Sequence, residues 1–183
     1  MTPDSILVLY AHPAPQRSPL MRRLADAARA LPGVTLHDLY ETYPDFDVDG
    51  DRERALLAAA RVVVFLHPLR WYGMPALMKE WMEATLRQGW AYGAGGDALR
   101  GKGWWLVTGT GSAPEAWTPG GMHGRPVADF LAPFEQAAAL CGMDWIDPLV
   151  LYGSAQAGAA ALDAQAAAFT LRLRALTEDV HGT

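Results

Sequence analysis

The chain has 183 residues, 51% of them hydrophobic and 19% charged, with a net charge of −5. That length favours one domain, and the composition excludes a disordered or collagen-like chain. A single cysteine, Cys141, excludes an internal disulfide framework, and the acidic balance argues against a nucleic-acid binder. Residues 6–10 form a continuous apolar run of strand length that ends at Ala11-His12-Pro13. From Ser18 to Ala30 apolar residues recur with the 3.6-residue period of a helix, with Ser18 as its cap and Pro19 in the first helical position. Pro32-Gly33 stops that helix, and 34–39 is a second strand. An Asp-rich loop follows, then a short helix over 52–60. Residues 62–66 are the most strand-like segment, and 74–88 is helical with Pro75 in its first turn. A Gly-rich loop over 89–103 precedes a fourth strand at 104–108. Helix 126–140, strand 145–152 and helix 159–177 complete the chain, and Pro148 suits an edge strand. Five βα units without hairpin signals predict an α/β protein with a parallel sheet and helices on both faces.

In such sheets, ligands bind beyond the carboxyl ends of the strands, where the winding reverses. The loops after strands one, three and four, residues 11–19, 67–73 and 109–124, meet there. Loop one carries His12, Arg17 and Ser18 at a helix N-terminus, where free N–H groups and the helix dipole favour a phosphate. The plainer reading makes Ser18 only a cap and His12 a strand-end residue. Loop three sets Trp71 and Tyr72 before Gly73, two aromatics that can flank a flat heteroaromatic ring or simply cover their own loop. Loop four, Thr108-Gly109-Thr110-Gly111, lets backbone N–H groups approach a ring, or is an ordinary turn.

Two motifs mislead. Residues 96–102 nearly match a P-loop, but Gly103 stands where Ser or Thr is needed, and the run precedes a strand instead of following one. Residues 45–51 resemble the start of a calcium loop, but Leu56 falls where a bidentate Glu is required, so Asp49 or Asp51 is read as a helix cap. His12, His67 and His123 lie on separate loops without ligand spacing, so no metal is expected. Cys141 is read as a buried, inert thiol.

Several segments resemble a known family. Tyr10-Ala11-His12-Pro13, the run 68–81, Gly89-Trp90-Ala91-Tyr92-Gly93, Leu99-Arg100-Gly101-Lys102, Gly121-Met122-His123-Gly124 and Tyr43-Pro44-Asp45-Phe46 are similar to the flavodoxin-like NAD(P)H:quinone oxidoreductases. The nearest subgroup is the short bacterial form that includes the ancillary protein of the glutathione-gated potassium efflux system (Kef). The resemblance runs from residue 6 to residue 152. It implies a single flavodoxin-like domain over 1–183, with a five-stranded parallel sheet in order 2-1-3-4-5. It implies bound FMN, NAD(P)H as co-substrate and two-electron ping-pong transfer to a quinone. The chain length favours FMN over FAD. His12 and Ser18, Pro19, Leu20 and Met21 match the segment that holds the flavin phosphate, beside Arg17. Leu69, Arg70, Trp71 and Tyr72 match the segment along the isoalloxazine ring. Thr108, Gly109, Thr110 and Gly111 match the loop at its polar edge. His123 matches a histidine that helps stabilise charge on the reduced flavin, and is the catalytic candidate.

This sequence departs from the family in places. The family's tyrosine six residues before that histidine is Trp117 here, which has no hydroxyl. Met21 stands where a polar residue is usual, and the family's Thr-Thr-Gly-Gly is Thr-Gly-Thr-Gly. The resemblance also implies a homodimer, with Trp81 and Trp90 on the helix and loop that the family turns toward its partner subunit. Two other readings stay open: a reductase of azo, nitro or iron acceptors, and a regulatory subunit of a potassium-efflux antiporter. A cytoplasmic protein is expected, reaching the inner membrane only through a protein partner, since no apolar run is long enough to span a bilayer. Six of the seven tryptophans fall between 71 and 117. Trp71 and Trp117 are assigned to the flavin pocket, and Trp104 and Trp105, adjacent on one strand, to opposite faces of the sheet.

Overall fold

Residues 62–66 are a continuous apolar run, the pattern of a strand covered on both faces. In the structure, a computed structural model that describes residues 5–181, they lie in the central strand. The strands are β1 (Ser5–Tyr10), β2 (Val34–Asp38), β3 (Ala60–Pro68), β4 (Gly103–Gly109) and β5 (Asp144–Leu151). They pair in parallel in the order β2-β1-β3-β4-β5, the flavodoxin-like arrangement expected. Pro148 sits on the edge strand β5, as its missing N–H requires. The register shifts there: Trp105 pairs with Ile146, but Val107 pairs with Leu149.

The helices are α1 (Pro19–Arg29), α2 (Leu39–Thr42), α3 (Gly50–Ala59), α4 (Ala76–Thr85), α5 (Ala128–Leu140) and α6 (Ala159–His181). Leu24 of α1 and Phe169 of α6 join Val64 and Trp105 on one face of the sheet. Leu57, Leu77 and Phe134, from α3, α4 and α5, join Phe65 and Trp104 on the other. Trp104 and Trp105 are thus both fully buried, on opposite faces. Each removes roughly 150–250 Å² from water, an upper bound of about 4–6 kcal/mol.

Two differences from the sequence reading have physical reasons. The second strand ends at Asp38, because Asp38 Oδ1 accepts from the N–H groups of Tyr40 (3.1 Å) and Glu41 (3.3 Å) and starts α2 inside the supposed loop. Helix α3 begins at Gly50, two residues early, with Asp49 as its cap. A side chain at Gly50 would run into the Ala84 carbonyl at the end of α4, so the two helices meet at a glycine.

On α4, Trp81 is fully buried within its own chain. Its indole Nε1–H donates to Glu53 Oε2 (2.7 Å), and its ring meets Phe65 edge-on. Glu53, also 0% exposed, accepts from Tyr43 OH (2.5 Å) and His37 Nε2–H (3.0 Å) at Oε1. Burial alone would raise its pKa. The three donors and the adjacent His37 outweigh burial and hold the carboxyl below the usual range.

Lys102, the residue that mimicked a P-loop lysine, closes the end of α3. Its Nζ donates to the carbonyls of Ala58 (3.0 Å) and Ala60 (2.5 Å), and burial lowers its pKa. A cation at a helix C-terminus satisfies carbonyls left open by the helix. Lys102→Met should cost about 2 kcal/mol, read as a drop of about 4–8 °C in Tm. An unchanged melting curve would remove this cap from the account.

Candidate functional site

Ser18 ends a short 3-10 turn (Pro15–Arg17) and caps α1, its Oγ accepting from Met21 N–H at 3.4 Å. Pro19 has no N–H to satisfy. The N–H of Leu20 has no acceptor among the described residues. The start of α1 therefore points an open donor into the loop cluster. His12 is buried, and its Nδ1 accepts from Ala14 N–H (3.0 Å). The ring proton of the neutral form consequently sits on Nε2. Burial lowers the His12 pKa and the nearby Arg70 lowers it further, so His12 is a neutral donor at pH 7.

These groups surround a cleft of about 290 Å³ lined by His12, Arg17, Ser18, Pro19, Met21, Leu69, Arg70, Gly109 and Gly111, with Ser154 and Ala155 on its far side. No carboxylate lines it. Two guanidinium groups, a hydroxyl, an imidazole N–H and a helix N-terminus form a donor set for a dianionic phosphate.

A second cavity of about 220 Å³ is lined by Leu69, Trp71, Tyr72, Thr110, Gly111, Ser112, Trp117 and His123. Leu69 and Gly111 line both cavities, so the two join there. The N–H groups of Gly111 and Ser112 have no acceptors among the described residues. Thr110 N–H is taken by Leu151 O (2.8 Å), which ties the loop to β5. The Trp117 ring stacks on His123 at 3.9 Å, and Tyr72 stacks on Phe130 at 4.8 Å. The arrangement suits a flat polar heterocycle attached to a phosphate, so the residues present fit FMN.

Residues 70–73 form a tight turn closed by reciprocal Arg70 and Gly73 backbone bonds of 2.8 and 2.9 Å. Trp71 (φ 49) and Tyr72 (φ 65) both adopt left-handed backbone, which costs roughly 1–2 kcal/mol per residue. Tyr72 is anchored by its aromatic contacts. Trp71 is 94% exposed and stands at the rim of the cavity instead of packing on its floor.

Most of the predicted site residues thus converge. Two side chains do not: Leu20 is buried beneath α1, and Thr108 is buried within β4, neither lining the cleft. Leu20 offers its backbone N–H in place of its side chain. His67 lies apart from the cavities, fully buried, donating from Nδ1 to Pro68 O (3.1 Å) and pushed by burial down to about 4. Ser112, Ser154 and Ala155 were not anticipated. Ser154 follows the carboxyl end of β5, where the same rule that selected the other loops applies.

A parallel sheet in this order, with a donor-lined cleft at the switch point, defines a flavodoxin-like α/β protein. A family model described as a flavodoxin-like fold (Flavodoxin_2) matches residues 4–174, and the chain belongs to that family. The glutathione-regulated potassium-efflux system ancillary protein KefG of Pectobacterium carotovorum subsp. carotovorum is 45% identical over 167 residues, 91% of each chain. General stress protein 14 of Treponema denticola, solved in complex with FMN, superposes with a TM-score of 0.88 at 31% identity, covering 94% of this chain and 99% of that one. A structure described as a thermophilic tryptophan halogenase from Streptomycin violaceusniger also scores 0.88, at 36% identity over 91% of this chain and 97% of that one. An NADPH-quinone reductase from P. pentosaceus scores 0.82 at 26% identity, over 92% and 96%. The two neighbours at 0.88 carry different functional names, so overall shape does not select a reaction and the site must.

Proposed function

We propose that this chain is an FMN-dependent NAD(P)H:quinone oxidoreductase, one domain over 1–183, working as a cytoplasmic homodimer. The observation that carries the reading is the joining of a carboxylate-free phosphate cradle to an aromatic-walled cavity at Leu69 and Gly111. The FMN-bound stress protein and the NADPH-quinone reductase among the structural neighbours support it. Bound FMN would supply a ring that takes a hydride from reduced nicotinamide and passes it to a quinone.

The rest is the work of this chain. His12, Arg17, Ser18 and the Leu20 N–H would hold the phosphate. The Gly111 and Ser112 N–H groups would meet the polar edge of the ring, with Thr108 to Thr110 shaping that loop. Leu69 to Tyr72 would lie along the ring. His123 would offset negative charge that develops there. With Trp71 at the rim, one face stays open for two substrates in turn, which is ping-pong kinetics.

Titration with FMN should give a yellow, saturable complex. At 100 times Kd the ligand contributes about 2.7 kcal/mol, so Tm should rise by roughly 5–10 °C. Parallel double-reciprocal plots with NADH or NADPH against a benzoquinone complete the test. Absence of FMN binding would refute the proposal.

A second reading, an ancillary subunit of a potassium-efflux antiporter, is favoured by the identity to KefG across nine-tenths of both chains. No helix among the described residues is long and apolar enough to cross a membrane. On this reading the chain would act on the membrane through the antiporter. Potassium efflux from cells carrying the cognate antiporter should rise when this chain is present; equal efflux would remove the reading.

A further inference from the structure

Two neighbouring cavities differ in charge. The cleft at the start of α1 is lined by Arg17 and Arg70 and by no carboxylate. Beside it lies a third cavity of about 490 Å³, whose walls include His12, Pro13, Asp38, Tyr40, Glu41 and Pro44. No arginine or lysine lines this one. His12 lines both and joins them, as Leu69 and Gly111 join the cleft to the aromatic cavity. The His12 ring is 5% exposed, and its Nε2–H has no acceptor among the described residues, so a buried open donor stands at the junction. The three spaces thus connect from the ring side of the site to the end of β2.

The carboxylates of the third cavity keep free oxygens. Asp38 Oδ1 accepts the N–H groups of Tyr40 and Glu41, but Oδ2 has no hydrogen-bond partner among the described residues. The exposed Glu41 carboxylate has none among them either. Burial raises the pKa of Asp38 above the ordinary range, as suits a carboxylate with few donors; Glu53, with three side-chain donors, moves the other way. The remaining walls are flat and stiff. Pro13 and Pro44 present rings, and the Tyr40 ring is held edge-on by Phe46 with centroids 5.9 Å apart. Such walls suit a purine, and free carboxylate oxygens suit sugar hydroxyls. Chain position agrees. In doubly wound sheets an acidic residue about 20 positions past the phosphate-binding turn takes the ribose 2′-hydroxyl of NAD, whereas an arginine accommodates the 2′-phosphate of NADP. Asp38 ends β2, 20 positions after Ser18.

We propose that the third cavity takes the adenosine of the reduced nicotinamide co-substrate, and that Asp38 and Glu41 select NADH over NADPH. The proposal rests on the oxidoreductase reading. The ribose hydroxyls donate to Asp38 Oδ2 and to Glu41, and the purine packs against Pro13, Pro44 and Tyr40. In NADPH a phosphate replaces the 2′-hydroxyl. It brings negative charge to two carboxylates and no proton to donate, so the same contacts turn repulsive.

The probes are ADP-ribose and 2′-phospho-ADP-ribose, which carry this half of each nucleotide without the nicotinamide. Both are titrated calorimetrically into the protein with and without FMN. ADP-ribose should bind about 10–100-fold more tightly, the worth of one charge-assisted hydrogen bond. Asp38→Asn keeps the cap of α2, because the amide oxygen accepts the same two N–H groups, and replaces the free oxygen with a donor. It should hold the wild-type Tm and weaken ADP-ribose about tenfold. Glu41→Arg leaves the cap untouched. It should weaken ADP-ribose, tighten the phosphorylated probe and lower the ratio of kcat/KM for NADH to that for NADPH. Equal affinity of the two probes for wild type, or no response to either variant, overturns the proposal. FAD that binds more tightly than FMN, and loses that advantage in Asp38→Asn, gives the cavity to the flavin's own adenylate and overturns it as well. A protein that discriminates between the probes but reduces no quinone overturns the oxidoreductase reading and leaves the nucleoside site standing.

Discussion

Glu53→Ala should destabilise the protein by about 3–5 kcal/mol, the usual cost of removing one partner from a buried charged network. Three donors lose their acceptor at once: His37 Nε2–H, Tyr43 OH and Trp81 Nε1–H. For a chain of this size that is a fall of roughly 10 °C in Tm. Glu53→Gln tests the charge. Its carbonyl can replace Oε1 toward His37 and Tyr43, but its NH₂ then faces the Trp81 N–H, donor against donor. The pH dependence has a definite sign. The folded carboxyl titrates below its unfolded value, so its stabilisation is fully present above the ordinary carboxylate range. It is lost as pH falls through the lowered folded value. Urea unfolding of Glu53→Gln should therefore show a shallower loss of stability in acid than wild type. Equal stability and equal acid dependence in the variant would show that Glu53 contributes nothing.

The network matters to the site because of what it joins. It ties β2, the segment after α2, α3 and α4 to one carboxylate. Helix α4 begins just after the turn that presents Trp71 and Tyr72. A loop with two left-handed aromatic residues stays in place only when its flanks are rigid. One flank is β3, in the centre of the sheet, and the other is the helix that Glu53 holds through Trp81.

The sheet was legible because β1, β3 and β4 are covered on both faces and read as continuous apolar runs, while Pro148 marked an edge. Helix α2 was missed because four residues are too few for periodicity. Its signal was present all the same: Asp38 and Glu41 have the spacing of a capping box. The bond that holds Trp81 could not be read because its partner Glu53 lies 28 positions away, a separation no local pattern reveals. The three loops of the site could be read from the rule about strand carboxyl ends. Ser112 could not, because it meets His123 only after the chain turns back at Gly121. The exposure of Trp71 follows from two positive φ angles on residues that rarely adopt them, and neither tryptophan nor tyrosine advertises that conformation.

Arg17→Glu should weaken FMN about 100-fold and leave riboflavin binding unchanged. Arg17 lies in the 3-10 turn just before α1 and lines the cleft proposed to take the phosphate. A charge-assisted hydrogen bond is worth about 1.5–3 kcal/mol, and reversal adds repulsion; roughly 2.7 kcal/mol is a hundredfold in Kd. Riboflavin carries the same ring without the phosphate, so it reports on the second cavity alone. The effect should shrink with salt, because Arg17 is exposed and the screening length is about 8 Å at 0.15 M. His12 supplies an internal contrast. It is buried and donates as a neutral ring, so its contribution should be insensitive to salt and constant above its lowered pKa. Equal weakening of both flavins would mean that Arg17 acts through the fold of the loop. No change in either would mean that the phosphate lies elsewhere, and the cradle at the start of α1 would lose its assignment.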